Sequence, residues 1–140
     1  MKPFTKTLLI AILIIVVLLS ACNSDCPKKA TLAYLNSAAD IINRFNRTNE
    51  IAASTARIGL APIVSELRII QTELEDLSPP TCANAISFDA YLYTDQTIAG
   101  YLAFMQQEDD ATISENFDQA TSALERFVNN TVELRDRWEK

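Results

Sequence analysis

Apolar residues recur along the chain at the spacing of an α-helix. Leu60, Ile63, Leu67, Ile70, Leu74 and Leu77 advance in steps of three and four, and so do Ile113, Phe117, Ala120, Leu124, Phe127, Thr131, Leu134 and Trp138. Such steps place side chains on one face of a helix with 3.6 residues per turn. An earlier stretch carries Tyr34, Leu35, Ala38, Ile41, Ile42 and Phe45 to one side in the same manner. No segment alternates apolar and polar residues over a strand length between hairpin turns, and glycine occurs only at 59 and 100. A β fold is therefore not expected.

The punctuation between these seams predicts four helices. The first starts near Cys26 or Pro27, with proline in the tolerated first turn, and runs to about Ala53. Ser54 and Thr55 offer a cap for the second. Pro62 then falls inside the second turn, so this helix either bends near Gly59 or becomes regular near Leu60. Ser78-Pro79-Pro80 stops it. The third takes Thr81 or Cys82 to about Gln107, and Thr112-Ile113-Ser114-Glu115 matches a capping box opening the fourth. Connections this short make successive helices antiparallel. The expected fold is all-α: an antiparallel up-down bundle of about four helices, a single domain over 26–140, with helices of ~23 to 27 residues and a body ~35 to 40 Å tall. Helices one and three then run the same way, which puts Cys26 and Cys82 at the same end.

Residues 1–22 change the picture of where such a bundle belongs. Lys2 and Lys6 precede an unbroken apolar run from Leu8 to Leu19, and small residues lead to Cys22. This is the layout of a secretory signal, and the run is shorter than the ~20 apolar residues that cross a bilayer. Leu19-Ser20-Ala21-Cys22 resembles the lipobox of bacterial lipoproteins. The resemblance implies cleavage after residue 21, diacylglycerol on the Cys22 thiol, a short tether over 22–25, and a domain held on the exported side of the bacterial cell membrane. An uncleaved signal anchor is the competing reading. With Cys22 lipidated, Cys26 and Cys82 remain as a pair in an oxidising compartment, where a disulfide between them is the economical assignment. Two free thiols, or a bond to another protein, are the alternatives. Cys26, Thr55-Ala56-Arg57-Ile58, the stretch from Leu77 to Pro80 with Cys82, and Leu102-Ala103-Phe104-Met105 together resemble small helical domains of exported bacterial proteins with no assigned activity. That likeness supports the disulfide and implies no active site.

Charge and composition narrow the chemistry. Beyond the front segment, residues 22–140 carry 10 basic and 18 acidic side chains. That balance argues against nucleic acid as a partner, because phosphate contacts need a basic face. The chain has no histidine, which removes imidazole metal ligands, histidine-based triads and histidine general bases. Glu108, Asp109, Asp110 and Glu115 lack the glycine and the spacing of an EF-hand loop, so they read as a solvated turn whose acids favour the next helix start. No metal and no cofactor is expected. Glu73, Glu75 and Asp76 lie at a helix end with no pocket signalled.

Three features suggest contacts. Arg57, beside the Ser54 and Thr55 hydroxyls, could receive an anion, with Thr55 and Arg57 as the contact; an ion pair between Arg57 and an acid of helix one or four is the simpler reading. Asp89, Gln96 and Gln107 mark a narrow polar stripe on helix three, while apolar residues fall on two faces. Either this helix is the most enclosed of the four, or Tyr93, Tyr101 and Phe104 form an exposed aromatic patch for a second copy, another envelope protein or an apolar ligand. The function expected is a membrane-anchored lipoprotein with a non-catalytic structural or protein-binding role in the cell envelope. The alternative is a small-molecule carrier or enzyme with a cavity between helices one, three and four, lined by Tyr34, Tyr91 and Tyr101.

Overall fold

The computed structural model describes residues 26–139. The front segment, Cys22 with its expected lipidation, and the expected tether over 22–25 lie outside the described residues. Among the described residues four helices make an all-α antiparallel bundle: α1 (Lys28–Ala53), α2 (Leu60–Glu75), α3 (Asn84–Gln106) and α4 (Asp110–Glu139). Short 3-10 turns at Arg57–Gly59 and Thr81–Ala83 lead into α2 and α3. Among the described residues no helix is long and apolar enough to cross a membrane.

The seams read from the sequence form the core. Leu35, Ala38, Phe45, Leu60, Leu67 and Ala123 are among the side chains most fully withdrawn from water, and Ile63, Leu77, Phe117, Leu124 and Trp138 pack against that cluster. Withdrawing this apolar surface is the main force holding the helices together. The helices are less even in length than expected, with 16 residues in α2 and 30 in α4, or ~24 and ~45 Å at 1.5 Å per residue.

The start of α2 explains its shortness. Ser54 and Thr55 do not cap it: their hydroxyls donate back to the α1 carbonyls of Glu50 and Ile51, so they close the helix behind them. The chain then crosses Arg57–Gly59 before α2 begins at Leu60. Pro62 becomes the third residue of the helix, where a backbone N–H has no intrahelical partner to lose. At the other end of α3, Gln107 adopts the left-handed conformation with φ 61°, and the Glu108 N–H donates to the Ala103 carbonyl at 3.0 Å. That is a Schellman closure with glutamine where glycine is usual. The expected capping box is also displaced by one turn. Asp109 accepts from the Thr112 N–H and the Thr112 hydroxyl, each at 2.9 Å, and the Thr112 bonds hold its carboxyl below the usual aspartate range.

Among the described helices, α3 and α4 make the most extensive contact. Small buried residues allow it: Ala90, Gly100 and Ala103 on α3, Ala120 and Ala123 on α4. At Gly100 a Cβ would lie only 2.8 Å from the Phe117 ring. At one end of the bundle the Lys28 ammonium donates to the Trp138 carbonyl at 3.0 Å, tying the start of α1 to the end of α4.

Candidate functional site

The two ends of the bundle are built differently. At one, Cys26 and Cys82 form a disulfide with their Cα atoms 5.8 Å apart. Each cysteine lies immediately before or within the turn that opens its helix, and parallel α1 and α3 bring them together. The fully buried Thr31 sets its hydroxyl 3.2 Å from the Cys26 sulfur and 3.4 Å from that of Cys82. This is the cystine end.

The distal end holds the α1–α2 and α3–α4 connections and an open cleft of about 470 Å³. Its walls are Ala52, Ala53 and Thr55 from the end of α1, Leu60 from the start of α2, Tyr101 and Phe104 from α3, and Ile113 and Phe117 from α4; Asn49 supplies a polar lining group. Tyr101 and Phe117 meet edge to face with centroids 5.2 Å apart, a favoured aromatic geometry. The Arg57 guanidinium lies over the Phe104 ring at 5.4 Å, within cation–π range. Ile58 beside it is 98% exposed, and Ile51 and Phe104 are also exposed.

A polar layer sits under this cleft. The Tyr101 hydroxyl donates to the Asn49 side-chain oxygen at 2.7 Å, and the Tyr93 hydroxyl donates to Asn46 Oδ1. Phe45 packs edge to face on Tyr93. Burial pushes the Tyr93 hydroxyl up to about 12, with the nearby Tyr101 adding to the rise and Asn49 and Thr97 opposing it. Burial raises Tyr101 in the same direction. Both phenols therefore stay neutral donors at physiological pH and serve to link α3 to α1.

A second polar cluster joins α3 to α4. Asp89 is buried and accepts from Arg126 Nε at 2.8 Å and from the Asn130 amide at 3.1 Å. Half of the Arg126 side chain remains in water, so the pair is a buried acceptor met by a surface cation. Asp89 shares its helix face with Gly100 and Ala103, eleven and fourteen residues on.

Several sequence expectations change against this geometry. Tyr93 and Tyr101 are buried, at 5% and 7% exposure, and only Phe104 of the expected aromatic patch reaches the surface. The three do not form an exposed patch, because α3 is enclosed on two sides and its aromatics face α1 and α4. Of the expected polar stripe only Asp89 is buried; Gln96 is half-buried and Gln107 is exposed. Arg57 makes no ion pair with a carboxylate among the described residues; it stacks on Phe104 instead. The anion contact at Thr55 and Arg57 loses its hydroxyl donors, since the Thr55 hydrogen goes to the Ile51 carbonyl at 2.6 Å. Tyr34, Tyr91 and Tyr101 are set apart: Tyr34 is buried in the core, Tyr91 lines a groove with Leu74 and Pro79, and Tyr101 lines the distal cleft. Glu73, read from the sequence as an unassigned acid, accepts from both terminal guanidinium nitrogens of Arg44 at 2.7 and 2.9 Å.

Sequence reasoning missed the asparagines of α1 and the distal cleft. Asn46 and Asn49 stand three apart beside the α1 seam, and their spacing matches the partner phenols only once the register of α1 against α3 is known. The chain matches no family model, no curated protein and no solved structure.

Proposed function

We propose that the protein is a lipid-anchored bacterial envelope lipoprotein whose helical bundle has a non-catalytic, protein-binding or structural role. The observation that carries the reading is positional. Cys22, in its lipobox-like setting, precedes Cys26 by four residues, a span of ~14 Å at most when extended. Cys26 is bonded to Cys82 at one end of the bundle. Acylation of Cys22 would hold that end beside the bilayer and turn the distal cleft toward the surrounding compartment. More than one acyl chain is what stable anchoring requires.

Mass spectrometry of the mature N-terminus, together with fractionation of cells carrying the native chain and Cys22→Ser, tests the anchor. The expected result is a chain beginning at an acylated Cys22 in the membrane fraction, with Cys22→Ser unprocessed or released. A soluble native chain that retains Met1 would overturn it. Reproducible turnover by the purified oxidised domain, abolished by a single carboxylate substitution, would overturn the non-catalytic part.

A further inference from the structure

At the distal end, hydrophobic surface and charge point to one kind of occupant. The cleft between α1, α2, α3 and α4 is open and mostly apolar, and Ile51, Ile58 and Phe104 stand in water at the same end, Ile58 almost completely so. Large apolar side chains on an exposed turn gain nothing from the fold itself, and their removal from water requires another molecule. The cleft walls carry no carboxylate, and Arg57 lies over one of them, at Phe104, but the chain segments that carry these side chains are acidic. Over residues 50–60 and 104–113, Arg57 is the only cation against Glu50, Glu108, Asp109 and Asp110. Asp109 is engaged in capping α4, whereas the carboxylates of Glu50, Glu108 and Asp110 form no ion pair among the described residues.

We infer that the distal end is a docking site for a basic segment of another protein, which seats an apolar side chain in the cleft between Leu60, Phe104 and Phe117 and sets its cations against Glu50, Glu108 and Asp110. This rests on the protein-binding part of the proposed function and is independent of acylation at Cys22. Charge selects the occupant. A second copy would bring the same acids to the contact, and an anionic lipid surface would oppose them likewise; like charges brought together disfavour a partner. A basic segment meets both features at once, with the apolar side chain supplying affinity and the rim charges steering approach.

The test uses the full chain in its native envelope, with a photo-crosslinking phenylalanine analogue replacing Ile58, and separately Phe88 near the cystine end as a control. Adducts are mapped to the peptide by mass spectrometry, and the N-terminal mass is read from the same sample. The expected result is an Ile58 adduct to a lysine- or arginine-rich segment containing an apolar residue, with no such adduct from Phe88. Its yield should fall by about tenfold or more in Glu108→Lys with Asp110→Lys, and in Ala53→Trp, which fills the cleft from an exposed position. Thermal melts of these variants establish that they fold. Adducts to lipid, to a second copy or to an acidic segment, or no adduct from a folded and anchored chain, would overturn the inference. A basic-segment adduct from a chain lacking the Cys22 lipid would leave docking standing and remove only the anchor.

Discussion

The cystine end and the distal end of this bundle are joined by the same helices but closed by opposite means. At the first, a covalent bond, a buried hydroxyl against both sulfurs and the Lys28 to Trp138 contact tie the helices together. At the second, the helices end in an unfilled cleft, with one isoleucine almost wholly in solvent. Covalent cohesion is concentrated where the chain enters the bundle. Apolar side chains reach water at both ends, Phe88 and Tyr91 beside a groove near the cystine and Ile51, Ile58 and Phe104 at the distal end, where no covalent bond closes the helices. A fold selected for stability alone would fill the cleft and replace Ile58 with a polar residue. The contrast is intelligible if one end bears the attachment and the other meets a partner.

The largest test of this contrast is to remove the staple. Cys26→Ser with Cys82→Ser should lower stability by roughly 4 kcal/mol on the chain-entropy model, or about 10 to 20 °C in melting temperature for a domain of this size. Differential scanning calorimetry reads it, and an unchanged melt would mean the cystine end is not the stronger one. Next in size is alkaline loss through the polar layer beneath the cleft. The folded Tyr93 hydroxyl, at about 12, lies above its ordinary value of 10.0, so the folded state holds this proton more tightly than the unfolded chain. Its contribution is present below pH 10 and is lost as the pH rises toward 12, about 2 to 3 kcal/mol in all. Denaturant titrations at pH 9 and 11.5 should differ by that order, and Tyr93→Phe should flatten the slope.

Asp89→Ala should cost about 2 kcal/mol, because it strands the Arg126 and Asn130 donors beside the α3–α4 contact, and exposure of Arg126 moderates the loss. Chemical denaturation measures it; a neutral outcome would show that small-residue packing alone holds this pair of helices. The smallest expected effect is the most telling for the distal end. Ile58→Ser should leave stability within about 0.5 kcal/mol of the native chain, since the side chain touches little of the fold. A large loss would show that Ile58 belongs to the core and not to a contact surface.

Much of the architecture is legible in the sequence because it depends on repetition. The steps through Leu60 to Leu77 and Ile113 to Trp138 are long enough that no other element accommodates them, and Ser78-Pro79-Pro80 can only end a helix. Pairing of the two cysteines follows from topology, since parallel α1 and α3 begin at the same level. The single-residue decisions are less legible. Ser54 and Thr55 are equally suited to close α1 or open α2, and the carbonyls of Glu50 and Ile51 decide it. Asp109 outcompetes Thr112 as the cap because its carboxylate accepts two bonds from the same threonine. On α3 the periodic signal fades for a physical reason. A helix enclosed on two sides has no solvent face broad enough to mark, so Tyr93 and Tyr101 read equally well as surface or interior. The distal cleft depends on how far apart four helix ends stand, a distance no local pattern encodes.

Trp138 is the chain's single indole, and it packs half-buried against the core at the cystine end while its carbonyl holds Lys28. Intrinsic tryptophan fluorescence is therefore a one-sided instrument in this molecule. A red shift on reduction would report loosening around the cystine, whereas an event confined to the far cleft would pass without a spectral trace until a second indole, such as Phe104→Trp, is placed there to watch it.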